Sequence, residues 1–348
     1  MTYSGAAGQT RTEMRKTFDY PSREEDLHSS LRLLISAITA LSKQGLNAES
    51  VGTSRDQVFS TATRLYGQQG FPYRPEFLSL LDTEYDAPIS FVDFIRKWEE
   101  ARQTINGWVA EQTQQKILDL VPPGGLESMT RLVIVNAVYL KVPWKQKFER
   151  QKTGPLPFLV HGASAELVPT MEETTSMGYA NFQDFEVLAV PYAVPDLQFL
   201  IILPKVKTTV AQVERGMTAQ MIAELAQLPS NRVRLFLPKF KIQPITLGLS
   251  AQLKALGMET AFHQGRADFR RIDSKRDLFV EEVFHRVFIV VDEQGTEAAA
   301  ASAAVSGKTG RTLISPPIEF KVDRPFVFAI QHRPSGACLF LGHVSDPR

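Results

Sequence analysis

Apolar positions in the first third of the chain recur at helical spacing. Leu27, Leu31, Leu33, Leu34, Ile38 and Leu41 form one series, and Ile105, Trp108, Val109, Ile117 and Leu120 form a second. Pro122, Pro123, Gly124 and Gly125 stop the second series, because proline lacks the amide donor and glycine favours a break. From Arg131 onward the texture changes. Leu132–Leu140, Glu186–Val190, Gln198–Leu203, Val233–Leu237, Phe284–Val291, Phe326–Ile330 and Cys338–Val344 are short runs rich in β-branched and aromatic residues. Such runs read as strands. Helices gathered early and strands gathered late predict an α+β fold with a substantial antiparallel or mixed sheet. No Pro/Gly/Ser-rich linker and no internal repeat divides the 348 residues, so one large domain is expected.

One segment fits neither period. Residues 295–310 read GTEAAAASAAVSGKTG, almost without large side chains. Alanine has the best helix propensity, but this run has no apolar stripe with which to pack. Its composition suits an exposed loop. It also suits a strand, because Thr296, Ala298, Ala300, Ser302 and Ala304 would then share one face. All are small enough to enter a sheet already packed on both sides.

Composition narrows the chemistry. Lys and Arg number 39 against 38 Asp and Glu, so the balance of charge argues for neither nucleic acid nor an anionic membrane as partner. The single Cys338 excludes an intramolecular disulfide and a cysteine-built zinc site. No apolar run approaches the roughly 20 residues that span a bilayer. Neither a secretory signal nor a glycosylation sequon is visible, the asparagines 47, 106, 136, 181 and 231 all lacking the hydroxyl residue two places on. The usual catalytic patterns are missing: no nucleophile elbow, no zinc helix and no dinucleotide fingerprint. The six histidines show no metal-ligand spacing. A Ser/His/Asp arrangement assembled by the fold stays open, since its members need not be neighbours in sequence. Gly307-Lys308-Thr309 imitates the end of a phosphate-binding loop, but Ser302 stands where that motif needs glycine.

Several stretches together resemble the serpins, protease inhibitors that act by conformational change. Asn136-Ala137-Val138-Tyr139-Leu140-Lys141, followed by Trp144 and Phe148, is similar to the family's NAVYFKGxWxxxF signature. Glu293-Gln294-Gly295-Thr296-Glu297-Ala298-Ala299-Ala300-Ala301 resembles its hinge. Phe320 to Phe326 and Leu339 to Val344 resemble its C-terminal motifs. The resemblance covers nearly all of residues 1–348. It implies one domain with three β-sheets, about eight to nine helices and an exposed reactive loop within residues 293–316. It also implies a non-enzyme without cofactor, whose partner is a target serine protease held as a covalent acyl complex. The implied state is a monomer, open to loop–sheet polymerisation. A polyanion cofactor finds little support, since residues 26–43 carry only Arg32 and Lys43 as fixed cations. The compartment is left open, leaning extracellular by family and compatible with an intracellular protein by the missing signal and sequons. The main rival within the fold is a non-inhibitory chaperone or carrier, and the rival outside it a hydrolase.

The resemblance also assigns roles. The hinge comprises Glu293, Gly295, Thr296, Glu297, Ala298, Ala299, Ala300, Ala301 and Ser302. Asn136 and His285 fall at the shutter, a polar pair where strands must part, and Trp144 falls at the breach, where the hinge first enters. Two departures stand out. Val142-Pro143 replaces the family's usual glycine and variable residue, and residues 1–6 resemble the latter part of the second helix, which implies that the first helix, a strand and the start of the second are lacking. The reactive bond has two placements. Fourteen residues past Gly295 gives Thr309–Gly310, whereas an R-S-L-like sequence gives Arg311–Thr312. Arg311, with Lys308 second and Thr309 third, points to a trypsin-like target with an acidic primary pocket.

Overall fold

The computed structural model describes residues 1–47, 59–140, 142–242, 246–273, 277–296 and 315–348. The fold is α+β, with eight α-helices among the described residues. Two compact units emerge, the first built from Met1–Ser42, Phe59–Tyr139 and Gln243–Phe288, the second from Leu140–Ile242 and Ile289–Arg348.

In the first unit the strands Phe59–Gln68, Leu132–Leu140 and the first part of Val283–Asp292 lie side by side. The last two run parallel, with Ile134 opposite Val283 and Asn136 opposite His285. Helices supply the core beneath them: Leu27, Phe77 and Leu81 pack with Leu65, Leu132, Phe262, Phe269 and Ile272, all buried. The helix Phe94–Gln112 begins at Asp93, whose carboxylate accepts the Arg96 amide at 3.1 Å. Accepting an orphan amide of the first turn is the ordinary work of an N-cap.

That helix corrects the sequence reading, which carried it to the stop at Pro122. It ends at Gln112. The Thr113 hydroxyl donates to the Val109 carbonyl at 2.8 Å and accepts the Ile117 amide at 3.2 Å, and Gln114 and Gln115 turn to φ 50° and 62°. Asn106 then bonds both backbone groups of Val121, at 2.8 and 2.9 Å. Ile117 and Leu120 are still fully buried. Their spacing reports burial; the helix that it suggests is replaced by a turn.

The second unit holds a sheet ordered Ile318–Lys321, Ser230–Pro238, Ser164–Asn181, Phe185–Pro191, Leu197–Pro204, Phe326–His332, Ala337–Val344. Every residue of Leu197–Pro204 is buried, as a continuous apolar run demands. Among the described residues Gly154–Val160 pairs with Ser164–Asn181 alone, and its Pro155 and Pro157 are tolerated because an edge strand need not donate on both sides. Among the described residues no helix is long and apolar enough to cross a membrane.

Candidate functional site

The richest constellation lies in the second unit, around Trp144. Its indole is 1% exposed and stacks on Tyr192 with centroids 4.8 Å apart and planes 5° apart. Phe199 and Phe148 meet it edge-on at 5.7 and 6.1 Å. Such offset and edge arrangements satisfy the ring quadrupoles. The aromatic cluster also offers polar groups outward. Trp144 Nε1 donates to the Asp292 carbonyl at 2.9 Å, and the Trp144 amide donates to the Gln294 carbonyl at 3.0 Å. The Phe148 amide reaches the Glu293 carbonyl at 2.9 Å. Three consecutive carbonyls, 292 to 294, are thus held from one side.

The side chains of the same segment are held from the other. Glu293 pairs with Lys239 at 2.9 Å and accepts the Thr153 hydroxyl at 2.9 Å. Burial works to raise this carboxyl, but Lys239 and Thr153 outweigh it and hold it below the usual carboxylate range. Asp292 goes the other way: burial, with the Glu293 charge beside it, pushes it up. Its Oδ1 accepts the Gln294 amide at 2.8 Å, which fixes the turn.

That turn delivers Gly295 and Thr296 into the sheet. The two form a short strand paired antiparallel on one side with Val291–Asp292 and on the other with Val142–Pro143. Gly295 has φ 151°, and a Cβ there would overlap the Val142 carbonyl oxygen and Pro143 Cα. Only glycine fits so close an approach at that dihedral. Pro143, which has no amide hydrogen, presents its carbonyl to the Ala193 amide at 2.8 Å. Thr296 is fully buried, and its hydroxyl lies 2.7 Å from Tyr192 Oη. Burial pushes the Tyr192 phenol far above its ordinary range, so it stays a neutral hydroxyl at any physiological pH.

The polar pair Asn136–His285 belongs to the first unit. The two residues sit opposite one another on parallel strands, with His285 Nδ1 and Asn136 Oδ1 2.7 Å apart. Asn136 Nδ2 donates to Thr63 Oγ1 at 2.6 Å. An amide oxygen can only accept, so Nδ1 carries the imidazole proton. Burial holds the imidazole below its usual pKa, and a hydrogen bond to the Asn136 backbone opposes the shift. All three side chains are half-buried, in contrast to a pair sealed beneath the sheet.

Of the residues singled out from the sequence, Glu293, Gly295, Thr296 and Trp144 are brought together here, and Asn136 meets His285. Glu297, Ala298, Ala299, Ala300, Ala301 and Ser302, and the reactive-bond candidates Lys308, Thr309, Gly310, Arg311 and Thr312, lie outside the described residues. Sequence reasoning passed over Tyr192, Lys239, Thr153 and Thr63. Lys239 directly follows the strand run Val233–Leu237 and Pro238, and the others carried no signal in the sequence.

The chain was compared with known proteins. The family described as serpin (serine protease inhibitor) matches residues 1–347. Leukocyte elastase inhibitor A of Rattus norvegicus is 35% identical over 356 residues, covering 100% of this chain and 89% of that protein. The Homo sapiens leukocyte elastase inhibitor is 34% identical with the same coverage. The crystal structure of uncleaved ovalbumin superimposes with a TM-score of 0.81 at 26% identity, covering 99% of this chain and 89% of that one. Family match, relatives and fold agree, and the chain belongs to the serpins.

Proposed function

We propose that this protein inhibits a serine protease as a suicide substrate, itself contributing no catalytic residue. The observation that supports this best is the short strand Gly295–Thr296, docked between two neighbours and leading into a run of small residues. The protease serine attacks the carbonyl of the reactive-bond residue, and the peptide bond breaks as the acyl ester forms. The freed segment enters the sheet behind Thr296 and carries the tethered protease with it, deforming the oxyanion hole that deacylation needs. The driving force is the added strand, whose main-chain groups and alternate side chains become paired and buried.

The register of the docked strand makes the proposal specific. Asp292 stands opposite Gly295 and Val291 opposite Thr296, so an antiparallel continuation brings Ser302 opposite His285. The inserted strand parts His285 from Asn136, and the Ser302 hydroxyl takes over the imidazole N–H. No bulky or charged side chain falls on the inserting face from Thr296 to Ala304.

Arg311–Thr312 is the bond proposed for a trypsin-like target. The names of the relatives favour a second reading, an elastase-like enzyme cutting Thr309–Gly310, which the count from Gly295 also gives. Mass spectrometry of the fragment released from the protease complex separates them: a new N-terminus at Thr312 fits the first and one at Gly310 the second. The mechanism itself is tested by Ala298→Arg, the next residue on the inserting face beyond the already buried Thr296. A guanidinium on the inserting face must be buried unpaired, at several kcal/mol, so turnover replaces trapping. A variant that still forms covalent complex as efficiently as wild type refutes insertion at this face. Loop cleavage between Val305 and Thr312 is expected to raise the melting temperature sharply, whereas an unchanged temperature supports a non-inhibitory protein.

A further inference from the structure

We infer that Tyr192 is a positioning residue that keeps the insertion nucleus formed before any protease arrives, an inference resting on the inhibitory reading above. Thr296 is already a strand residue, with main-chain neighbours on both sides and no exposed surface. Among the described residues its hydroxyl meets the Tyr192 phenol at 2.7 Å. That phenol is fixed by the 4.8 Å stack on Trp144, whose indole in turn holds the Asp292 carbonyl at 2.9 Å. The chain of contacts therefore runs from the turn at Asp292 through two stacked rings and back to Thr296, closing on the same five-residue segment.

The consequence is kinetic. Ordering the first residues of an incoming strand is the step least rewarded by new contacts, since their backbone entropy is lost before the later pairs form. A strand that starts from Thr296 has already passed this step. Insertion then competes with deacylation from an advanced position, and the fraction of encounters that end in trapping rises. Loosening Thr296 lengthens the race without touching the scissile bond, so the acylation rate is unaffected while the branching changes.

Tyr192→Phe keeps the stack and deletes the hydroxyl; Thr296→Val keeps the β-branch and deletes the other. Two readouts are taken on the full chain. The first is amide hydrogen exchange of a peptide spanning Gly295 and Thr296 in the uncleaved protein, which needs no protease. Each variant is expected to exchange about five-fold faster there, the ratio that one net hydrogen bond corresponds to, with the double variant no faster than either single. The second is the stoichiometry of inhibition and the rate of loop insertion against trypsin and elastase, with insertion slowed several-fold and acylation unchanged. Unchanged exchange in both singles, or effects that add in the double variant, overturns the inference. So does faster exchange accompanied by unaltered insertion and stoichiometry. If wild type traps neither protease, the inhibitory reading fails, and accelerated exchange in the singles alone still establishes the Tyr192–Thr296 hold.

Discussion

The cluster at Trp144 and the polar pair Asn136–His285 use the same kinds of bond in opposite settings. Around Trp144 the hydrogen bonds are anchored on buried residues, Trp144, Tyr192, Glu293 and Thr296, packed with Phe148 and Phe199. Opening any of them strands a donor or acceptor away from water, which costs about 1–3 kcal/mol each. At Asn136 and His285 the side chains are half-buried, so water can replace what is lost. In the proposed insertion the first arrangement is a hold that stays closed throughout, and the second a gate that opens once. Burial, more than the number of bonds, separates the two.

The sharpest test of this contrast removes Trp144 itself. Trp144→Ala deletes a fully buried ring and takes the indole donor away from the Asp292 carbonyl. A loss of about 4 kcal/mol is expected by denaturant unfolding, typical of a large aromatic truncation. A loss under 1 kcal/mol would show that the cluster collapses freely and is no hold. Lys239→Ala is expected next, at about 2 kcal/mol. It leaves the buried Glu293 carboxylate with Thr153 alone. The value sits below that of a fully buried pair because the lysine side chain is 37% exposed. Adding Glu293→Gln should recover most of the loss, and a double variant no better than Lys239→Ala would contradict the pairing argument.

At the gate the effects shrink. Asn136→Ala should cost about 1 kcal/mol, because the His285 N–H and the Thr63 hydroxyl lose their partner but reach water. A cost equal to that of Trp144→Ala would erase the distinction between the two regions. The smallest effect is a pH dependence. His285 has its pKa depressed by burial in the folded chain, so the unfolded chain binds the extra proton first. Its contribution is intact above the unfolded value of about 6.5 and is lost as the pH falls toward the folded value. Melting temperature should therefore decline between pH 7 and pH 5, with a slope below the one-proton limit of about 1.4 kcal/mol per pH unit. His285→Gln should flatten that decline; an unchanged slope would place the titration elsewhere.

Many of the strands, though not their order in the sheet, were readable from residue texture, and the clearest are those buried on both faces. Leu197–Pro204 and Phe326–His332 are buried at every position, and continuous apolar runs announce them. Ser164–Asn181 escaped notice because Glu172, Glu173, Thr174, Thr175 and Ser176 interrupt any simple period. Two of these carry local reasons: Glu172 pairs with Arg234 at 2.8 Å, and the Glu173 carboxylate accepts the Thr174 amide. The site divides in the same manner. Glu293, Gly295 and Trp144 sit in contiguous motifs. Tyr192 and Thr153 act only through tertiary contact, 104 and 140 residues from their partners Thr296 and Glu293. No spacing rule reaches so far.

The stack on Tyr192 has an optical consequence. The chain has three tryptophans. Trp98 is 45% exposed and Trp108 lies beneath the Arg64 guanidinium at 4.1 Å, whereas Trp144 is sealed among aromatic rings. A soluble quencher such as acrylamide extinguishes Trp98 and spares Trp144. The residual emission then comes from the half-buried Trp108 and the sealed Trp144, and the Trp144 share originates beside the carbonyl of Asp292, next to the Gly295–Thr296 strand. Time-resolved emission from the unlabelled chain follows that point through the proposed cleavage and insertion.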